Sequence, residues 1–446
     1  MKNLFSHIVL ICSLVYTFFV FSGYNIGWGH FPYDEWRLLA NSLLVIIVCI
    51  ALKPEIWICN VVIVRLIGPL VILFIIVIIY ILFIPKQINS ISFLLVYSLL
   101  YFAIFIYSFV FQINRSKEFY LIILSCMPLL TVMWLPIESI LMYMFPEEIA
   151  SKAWLGNFLN KRQYDDAILP FLFILALLKV PKNFEIFRWA LWVLILSGSI
   201  QNGSRAVIFS LIFGLIFAAI WYRSYRWSRI FIIGTISAVL LALVFTFLQN
   251  QPALTALQRI DDSGRGHIYF QAWQLGQSNW LFGSFDKINY TFVFHPHNIF
   301  LQWWTEYGVL GIYLAIISIV FVLAILKQSC VLPPLSVAGI ISISVNAMLS
   351  GAMVYPHSQI FNMIYFAYVV SLLPQIEKPL FWEKQRKYIV GLVIVLVGLL
   401  LFYQHSNFLI WNGTSELYQS SGSHDSIVAP YWWQYGGSEW LGNMNE

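Results

Sequence analysis

A short polar motif, His295-Pro296-His297-Asn298, interrupts a strongly apolar sequence. A neutral imidazole can act as a general base toward a hydroxyl group. Two histidines separated by one residue could instead bind a metal, but no further histidine or carboxylate follows at ligand spacing. They could also form ordinary hydrogen bonds at a membrane interface. The motif therefore makes His295 and His297 candidates for a proton-accepting group, with Asn298 and Glu306 nearby in sequence.

Two arginines stand in segments that suit an anion. Asn202-Gly203-Ser204-Arg205 opens an apolar stretch, and Gly264-Arg265-Gly266 precedes a helix predicted over 266–277. A guanidinium can hold two phosphate oxygens at once, and the start of a helix favours an anion. Arg205 could equally snorkel, cap a helix or pair with an acid, and the segment around Arg265 could be a plain loop. With a histidine base, two pyrophosphate-binding arginines predict a glycosyl-transfer site without metal or cofactor.

The composition requires these residues to be placed by membrane helices. Hydrophobic residues make up 60% of the 446 positions and charged residues 10%, against about 25% charged residues in soluble domains. Since a span needs about 20 apolar residues, we expect an all-α integral membrane protein with about 12–13 transmembrane helices. The net charge of +5 does not indicate a nucleic-acid partner. The predicted spans are 4–23, 37–52, 62–84, 92–112, 119–144, 165–179, 187–201, 203–222, 230–249, 304–326, 333–354, 359–375 and 388–404.

The distribution of charge predicts the orientation of these spans. With the N-terminus in the cytoplasm, most of the 25 lysines and arginines fall on the inner side, as the positive-inside rule requires. All histidines except His7 then fall on the outer side, together with the long polar segments 250–303 and 405–446. In a bacterium the outer side of the inner membrane is the periplasm, so we expect the chemistry to take place there.

Four regions follow from this arrangement. We predict an N-terminal transmembrane bundle at 1–249, a periplasmic loop carrying the active site at 250–303, a C-terminal transmembrane bundle at 304–404 and a periplasmic tail at 405–446.

A polytopic lipid-glycan transporter is the alternative from another functional class. A transporter should have ionisable residues deep in its spans or paired broken helices, whereas the polar residues here cluster at one surface.

The spacing of these motifs resembles that of the superfamily of O-antigen ligases, O-antigen polymerases and pilin O-oligosaccharyltransferases. That family carries a His-Asn pair, nine residues and then Gly-x-x-Gly, which correspond here to His297-Asn298, residues 299–307, Gly308 and Gly311. It also has an arginine at the outer start of an earlier span, like Arg205. A second arginine ahead of an aromatic helix is similar to Arg265, which Trp273 follows.

The resemblance implies a membrane glycosyltransferase of the C-type fold with one large periplasmic loop. Its donor would be a glycan on undecaprenyl pyrophosphate, held by Arg205 and Arg265 among the membrane lipids. The resemblance selects His297 rather than His295 as the base, with inversion at the anomeric carbon and no cofactor.

Residues 160–171 resemble a segment of the type IV pilin O-glycosylases. Asn160-Lys161-Arg162, followed by Leu169-Pro170, matches the family's Asn-x-Arg and Leu-Pro elements, so Arg162 is a supporting candidate. The segment departs from the family at Gln163, where an aromatic is expected, and at Asp165-Asp166, which replace an Asn/Gln pair. This subtype implies a Ser/Thr hydroxyl of a periplasmic protein, a pilin, as acceptor. The alternatives are ligation to lipid A-core and polymerisation of O-antigen.

Two further polar residues are candidates for a function. His357 follows a turn at Tyr355-Pro356, so its side chain could face the site or serve only in packing. Glu138 lies in or near a predicted span, where an acidic residue is a functional candidate by default. Because Pro136 is nearby, Glu138 could instead lie at the outer end of that span.

Overall fold

The described residues of the chain are mostly helical. The computed structural model describes residues 2–22, 32–50, 61–83, 88–145, 161–223, 226–249, 265–283, 296–350, 352–353 and 355–375. No strand occurs in these ranges, which confirms the prediction of an all-α integral membrane protein. The predicted tail 405–446, parts of the loop 250–303 and the predicted span 388–404 lie outside them.

The helices of the first half are α1 (Lys2–Ser22), α2 (Pro32–Ile50), α3 (Val61–Phe83), α4 (Ile88–Ile113), α5 (Lys117–Cys126), α6 (Leu129–Val132), α7 (Trp134–Met144) and α8 (Lys161–Leu177). Those of the second half are α9 (Glu185–Gln201), α10 (Arg205–Tyr222), α11 (Arg226–Leu248), α12 (Arg265–Ser278), α13 (Ile299–Tyr307), α14 (Val309–Leu326), α15 (Pro334–Leu349) and α16 (Pro356–Ser371). Short 3₁₀ turns occupy Lys182–Phe184 and Ser329–Val331.

Six segments of the described residues are long and apolar enough to cross a membrane. The other predicted spans up to residue 375 also coincide with helices, and the helix predicted over 266–277 is confirmed as α12. The six segments are Leu4–Ser22, Val96–Ile113, Lys117–Met144, Arg205–Tyr222, Ile230–Leu248 and Val309–Leu326.

Two predicted spans have different internal boundaries in the structure. The stretch 119–144 is divided into α5, α6 and α7 around Pro128, because proline has no N–H to donate within a helix. The stretch predicted to begin at 304 contains the end of α13, and the long helix α14 begins only at Val309. Gly308 separates them with a φ of 56°, a conformation that glycine adopts at little cost.

Helix α16 forms the centre of the bundle, since every one of its residues is buried. It packs against α4, α8 and α2. A second close contact joins α10 to α15, where Gly214 lies against Ser342 and the backbone of Ala338. These two contacts connect the N-terminal helices to the C-terminal ones, so residues far apart in sequence meet at the ends of the bundle.

The close approach of α10 and α15 leads to a prediction about stability. A Cβ atom at Gly214 would lie 2.1 Å from Ser342 Oγ and 2.4 Å from the Ala338 carbonyl oxygen. Overpacking should cost about 1–3 kcal/mol, and helix propensity should return about 1 kcal/mol. Gly214→Ala should therefore destabilise the protein by up to about 2 kcal/mol. The thermal unfolding midpoint in detergent measures this effect.

Gly68→Ala in α3 is the comparison, because an added Cβ there meets no atom within 4 Å apart from its chain neighbours. Pro69 follows and disfavours a Cβ on a helical residue before it, so that variant should lose less stability than Gly214→Ala. Equal midpoints for the two variants would contradict the close packing of α10 on α15.

Candidate functional site at one end of the bundle

Two adjacent carboxyl groups on α8 connect three helices at one end of the bundle. Asp165 and Asp166 are 1% and 2% exposed. Asp165 Oδ1 accepts a hydrogen bond from Asn202 Nδ2 at 3.1 Å. Asp166 Oδ1 accepts from Asn346 Nδ2 at 3.0 Å and from Ser350 Oγ at 2.6 Å. We call these five buried residues the polar end of the bundle; they join α8 to the α9–α10 turn and to the end of α15.

Arg205 is the first residue of α10 and follows the turn that Asp165 holds. The turn uses Gly203 at a φ of 72°, and Ser204 N donates to the Ser199 carbonyl at 3.1 Å. Arg205 is half-buried, and the first turn of its helix contains no acidic residue. The N–H groups of a first helical turn lack partners within the helix and carry partial positive charge. The guanidinium therefore adds to a region that already favours an anion.

Arg265 is likewise the first residue of a helix, α12. Its Nη1 donates to the Leu349 carbonyl oxygen at 3.0 Å, at the C-terminal end of α15. A guanidinium is a planar group with five N–H donors, and this bond orients it. Burial raises the pKa of Tyr269, one turn further along α12, and the positive charge of Arg265 partly opposes that rise.

Helix α12 and helix α13 form a tightly packed pair that carries Arg265 and His297. The rings of Trp273 and Trp304 lie with their centroids 6.1 Å apart. A Cβ at Gly276 would lie 2.0 Å from Trp304 Nε1. Only glycine leaves room for such an approach, so the positions of the two helices depend on each other.

His297 precedes α13 in an uncommon backbone conformation. Its φ is 53° and its side chain is 5% exposed. Non-glycine residues rarely adopt this left-handed region, and strained residues of this kind cluster at functional sites. Among the described residues, no group of three or more His, Cys, Asp or Glu side chains could hold a metal ion. His295 lies outside the described residues.

Asn298 has a structural task that its position in the sequence did not reveal. It is the N-cap of α13, and its Oδ1 accepts hydrogen bonds from Phe300 N at 3.0 Å and Leu301 N at 3.1 Å. Glu306 lies on the same helix, 1% exposed, and accepts a hydrogen bond from Gln302 Nε2 at 2.7 Å. Asn298 therefore fixes the start of the helix directly after His297, and Glu306 is held inside the bundle.

An apolar cavity of about 390 Å³ lies between α4, α13, α14, α15 and α16. Ile299 and Phe300 line one part of it, two and three residues beyond His297. Met348 lines another, directly before the Leu349 carbonyl that holds Arg265. Its few polar groups are largely engaged, as where the hydroxyl groups of Tyr101 and Ser318 bond each other. The cavity is thus lined by α13, which follows His297, and by the end of α15, to which Arg265 is bonded.

His357 occupies an aromatic box at the start of α16. Its side chain is fully buried, with the Trp36 ring edge-on at 4.9 Å and the Tyr355 ring stacked at 5.7 Å between centroids. It is not among the residues that line the apolar cavity. Arg162 lies in the first turn of α8, and its side chain is outside the described part of the structure.

A chain of polar side chains continues from the polar end to α7. Gln201, next to Asn202, donates to Gln249 Oε1 at 2.7 Å, and Gln249 Nε2 donates to Ser139 Oγ at 2.9 Å. Glu138, beside Ser139, is 5% exposed. In the sequence, Asp165-Asp166 stood out only as a departure from a family pattern. Two ionisable residues at the start of an apolar span were the signal for a buried polar cluster.

One comparison with known proteins bears on this site. Residues 189–316 match the O-antigen ligase family. The matched segment includes Arg205, Arg265 and His297, but begins after Asp166 and ends before Asn346. No curated protein matches the chain. The match supports the O-antigen ligase superfamily and a glycan-transferring function of that kind in a multi-pass membrane protein.

The cap of α13 can be tested directly. Asn298→Ala should destabilise the protein by about 1 kcal/mol, because two backbone N–H groups lose their acceptor. Asn298→Ser keeps a side-chain oxygen at the cap and should recover most of that loss. Thermal unfolding midpoints in detergent measure both, and an equal loss in the two variants would argue against capping by Asn298.

Proposed function

We propose that the protein is an O-linked oligosaccharyltransferase. It moves a glycan from undecaprenyl pyrophosphate to a Ser or Thr hydroxyl of a periplasmic protein, with a type IV pilin as the acceptor. One observation carries the proposal. At one end of a membrane helix bundle, two helices begin with an arginine, a histidine is buried in a strained conformation, and an apolar cavity lies beside the helix that follows this histidine.

Both chemical parts of the proposed donor, its pyrophosphate and its isoprenoid chain, fit this arrangement. Its pyrophosphate carries a negative charge on each phosphate group, and bidentate arginines and helix N-termini bind such anions well. Arg205 and Arg265 supply both kinds of group. Its isoprenoid chain needs an apolar surface, and the cavity beside Ile299, Phe300 and Met348 offers one. A molecule with a charged head and an apolar tail therefore fits better than a free sugar nucleotide.

The reaction is a single in-line displacement at the anomeric carbon. His297 accepts the proton of the acceptor hydroxyl while its oxygen forms the new bond to that carbon. The bond from the anomeric carbon to the pyrophosphate oxygen breaks, and the pyrophosphate leaves with the electron pair. Arg205 and Arg265 stabilise the charge that develops on the leaving group. Attack from the side opposite the leaving group inverts the configuration.

The charge distribution supports the orientation that we propose for the protein in the bacterial inner membrane. With the N-terminus in the cytoplasm, most lysines and arginines face inward, and the end that carries Arg205, Arg265 and His297 faces the periplasm. There the site meets both a lipid-linked donor in the membrane and an acceptor outside it.

The description of the matched family favours a second candidate, ligation of the glycan to lipid A-core. Donor, arginines and base would be the same in that reaction, and only the acceptor hydroxyl would differ. Membranes containing the protein, incubated with a labelled glycan on undecaprenyl pyrophosphate, separate these outcomes. Label on pilin supports the first candidate, label on lipid A-core the second, and a lengthened lipid-linked glycan indicates polymerisation.

The assignment of His297 predicts a large loss of catalysis. His297→Ala should lower the rate of glycan transfer by a factor of about 100 or more, the usual contribution of a general base. His7→Ala is the control, since His7 on α1 bonds Tyr120 in another part of the bundle. Normal amounts of membrane-inserted protein with unchanged transfer in the His297 variant would exclude it as the base.

The assignment of Arg265 predicts that charge alone is insufficient. Arg265→Lys should lower kcat/KM for the donor about tenfold or more, because an ammonium group does not reproduce the planar fork. The same substitution at Arg115, which is exposed after α4, should leave the rate of transfer unchanged. Wild-type turnover in Arg265→Lys would assign that arginine to folding only.

A further inference from the structure

We infer that Asp165 and Asp166 are positioning residues that set the separation of the two pyrophosphate-binding arginines. The inference rests on the proposed function and adds residues that lie outside the segment matched to the O-antigen ligase family. Each aspartate acts through a different neighbouring helix and on a different arginine.

Asp166 acts on Arg265 through the end of α15. Its Oδ1 accepts hydrogen bonds from Asn346 in the last turn of α15 and from Ser350, the residue directly after that helix. Leu349 lies between these two residues, and its carbonyl oxygen receives Arg265 Nη1 at 3.0 Å. Any movement of the helix end away from Asp166 would therefore displace the acceptor that orients Arg265.

Asp165 acts on Arg205 through the α9–α10 turn. Its Oδ1 accepts from Asn202 Nδ2 at the end of α9. The turn that follows is closed by backbone hydrogen bonds from Ser204 N to the Ser199 carbonyl and from Arg205 N to the Gly203 carbonyl, and α10 begins at Arg205. The carboxyl group of Asp165 thus holds the turn at Asn202, three residues before the arginine that begins α10.

The contacts with α15 and with the α9–α10 turn are made by adjacent residues of one rigid helix, α8. Adjacent residues of an α-helix point about 100° apart, since a turn contains 3.6 residues. Asp165 therefore reaches the α9–α10 turn while Asp166 reaches α15. Tyr164, Ala167 and Ile168, which flank the pair, are all 0% exposed, so this part of α8 is packed on every side. The distance between the arginines is then determined by a segment that cannot easily shift.

A positioning role differs from a general structural one in its coupling to the arginines. Double-mutant cycles measure such coupling for residues that act as a unit. Asp166→Ala should lower kcat/KM for the lipid-pyrophosphate donor about tenfold through loss of the hydrogen bonds to its buried carboxyl group, with the KM for the acceptor unchanged. In an Arg265→Lys background the same substitution should lower kcat/KM for the donor by less than about twofold, because the arginine through which Asp166 acts is already replaced.

The controls combine each aspartate variant with the lysine variant of the arginine on which it does not act. Asp166→Ala should keep its full effect in an Arg205→Lys background, and Asp165→Ala should keep its full effect in an Arg265→Lys background. Asp165→Ala should lose its effect only when Arg205 is already lysine. Equal effects of each aspartate variant in every background would overturn the inference and leave a purely structural role.

Two further variants keep the test decisive if Asp166→Ala does not fold. Ser350→Ala removes one donor to the same carboxyl group and should show the same coupling to Arg265. Asp166→Asn keeps the Oδ1 acceptor and should recover most of the lost activity, whereas failure to do so would overturn positioning by hydrogen bonds. Wild-type turnover in Arg265→Lys would instead refute the arginine assignment of the proposed function. Loss of turnover there without coupling refutes the positioning role alone.

Discussion

Two buried carboxyl groups must be satisfied by hydrogen-bond donors inside a bundle whose other contacts are mainly apolar. Burial of an ionisable group without partners is costly. Asp165 and Asp166 find their donors on the α9–α10 turn and at the end of α15. The need for these donors brings helices from both halves of the chain to one place. The packing of α10 on α15 and the central position of α16 are consistent with that constraint.

The polar end places several helix termini near one another. Helix α10 begins beside Asn202, α12 begins with an arginine bonded to the end of α15, and α13 begins at the cap formed by Asn298. The N-terminal turns of helices carry partial positive charge, which reinforces the arginines. The same region adjoins an apolar cavity. A charged zone and an apolar one in direct contact suit a lipid that carries an anionic head.

The stretch around α12 and α13 illustrates how glycine and strain shape the site. Gly276 allows the two helices to approach closely, and Gly308 ends α13 with a φ of 56°. A Cβ at Gly308 would lie 2.5 Å from the Trp280 carbonyl oxygen. His297 adopts a left-handed conformation although it is not glycine. Such a conformation persists where the surrounding structure holds the residue in place, here through the capped helix that follows it.

The amino-acid sequence by itself determined that the protein is an integral membrane protein and that it is helical. It also indicated the candidate arginines and histidine. Apolar stretches of the required length predict membrane helices, and most of them coincide with helices in the described residues. Local patterns also located α12, and the spacing of His297-Asn298 to Gly308 and Gly311 pointed to the family that residues 189–316 match. These features are readable because each depends on residues that lie within about 20 positions of one another in the sequence.

Only the tertiary structure decided which distant residues meet. The bonds from Asp166 to Asn346 and from Arg265 to Leu349 join residues 180 and 84 positions apart, and no local pattern specifies such pairs. The capping role of Asn298 depends on where α13 begins, and the break at Gly308 depends on a backbone angle that hydropathy does not report. The burial of His357 in an aromatic box likewise follows from the approach of α2 to α16. Helix formation is local, whereas the arrangement of helices around buried polar groups is not.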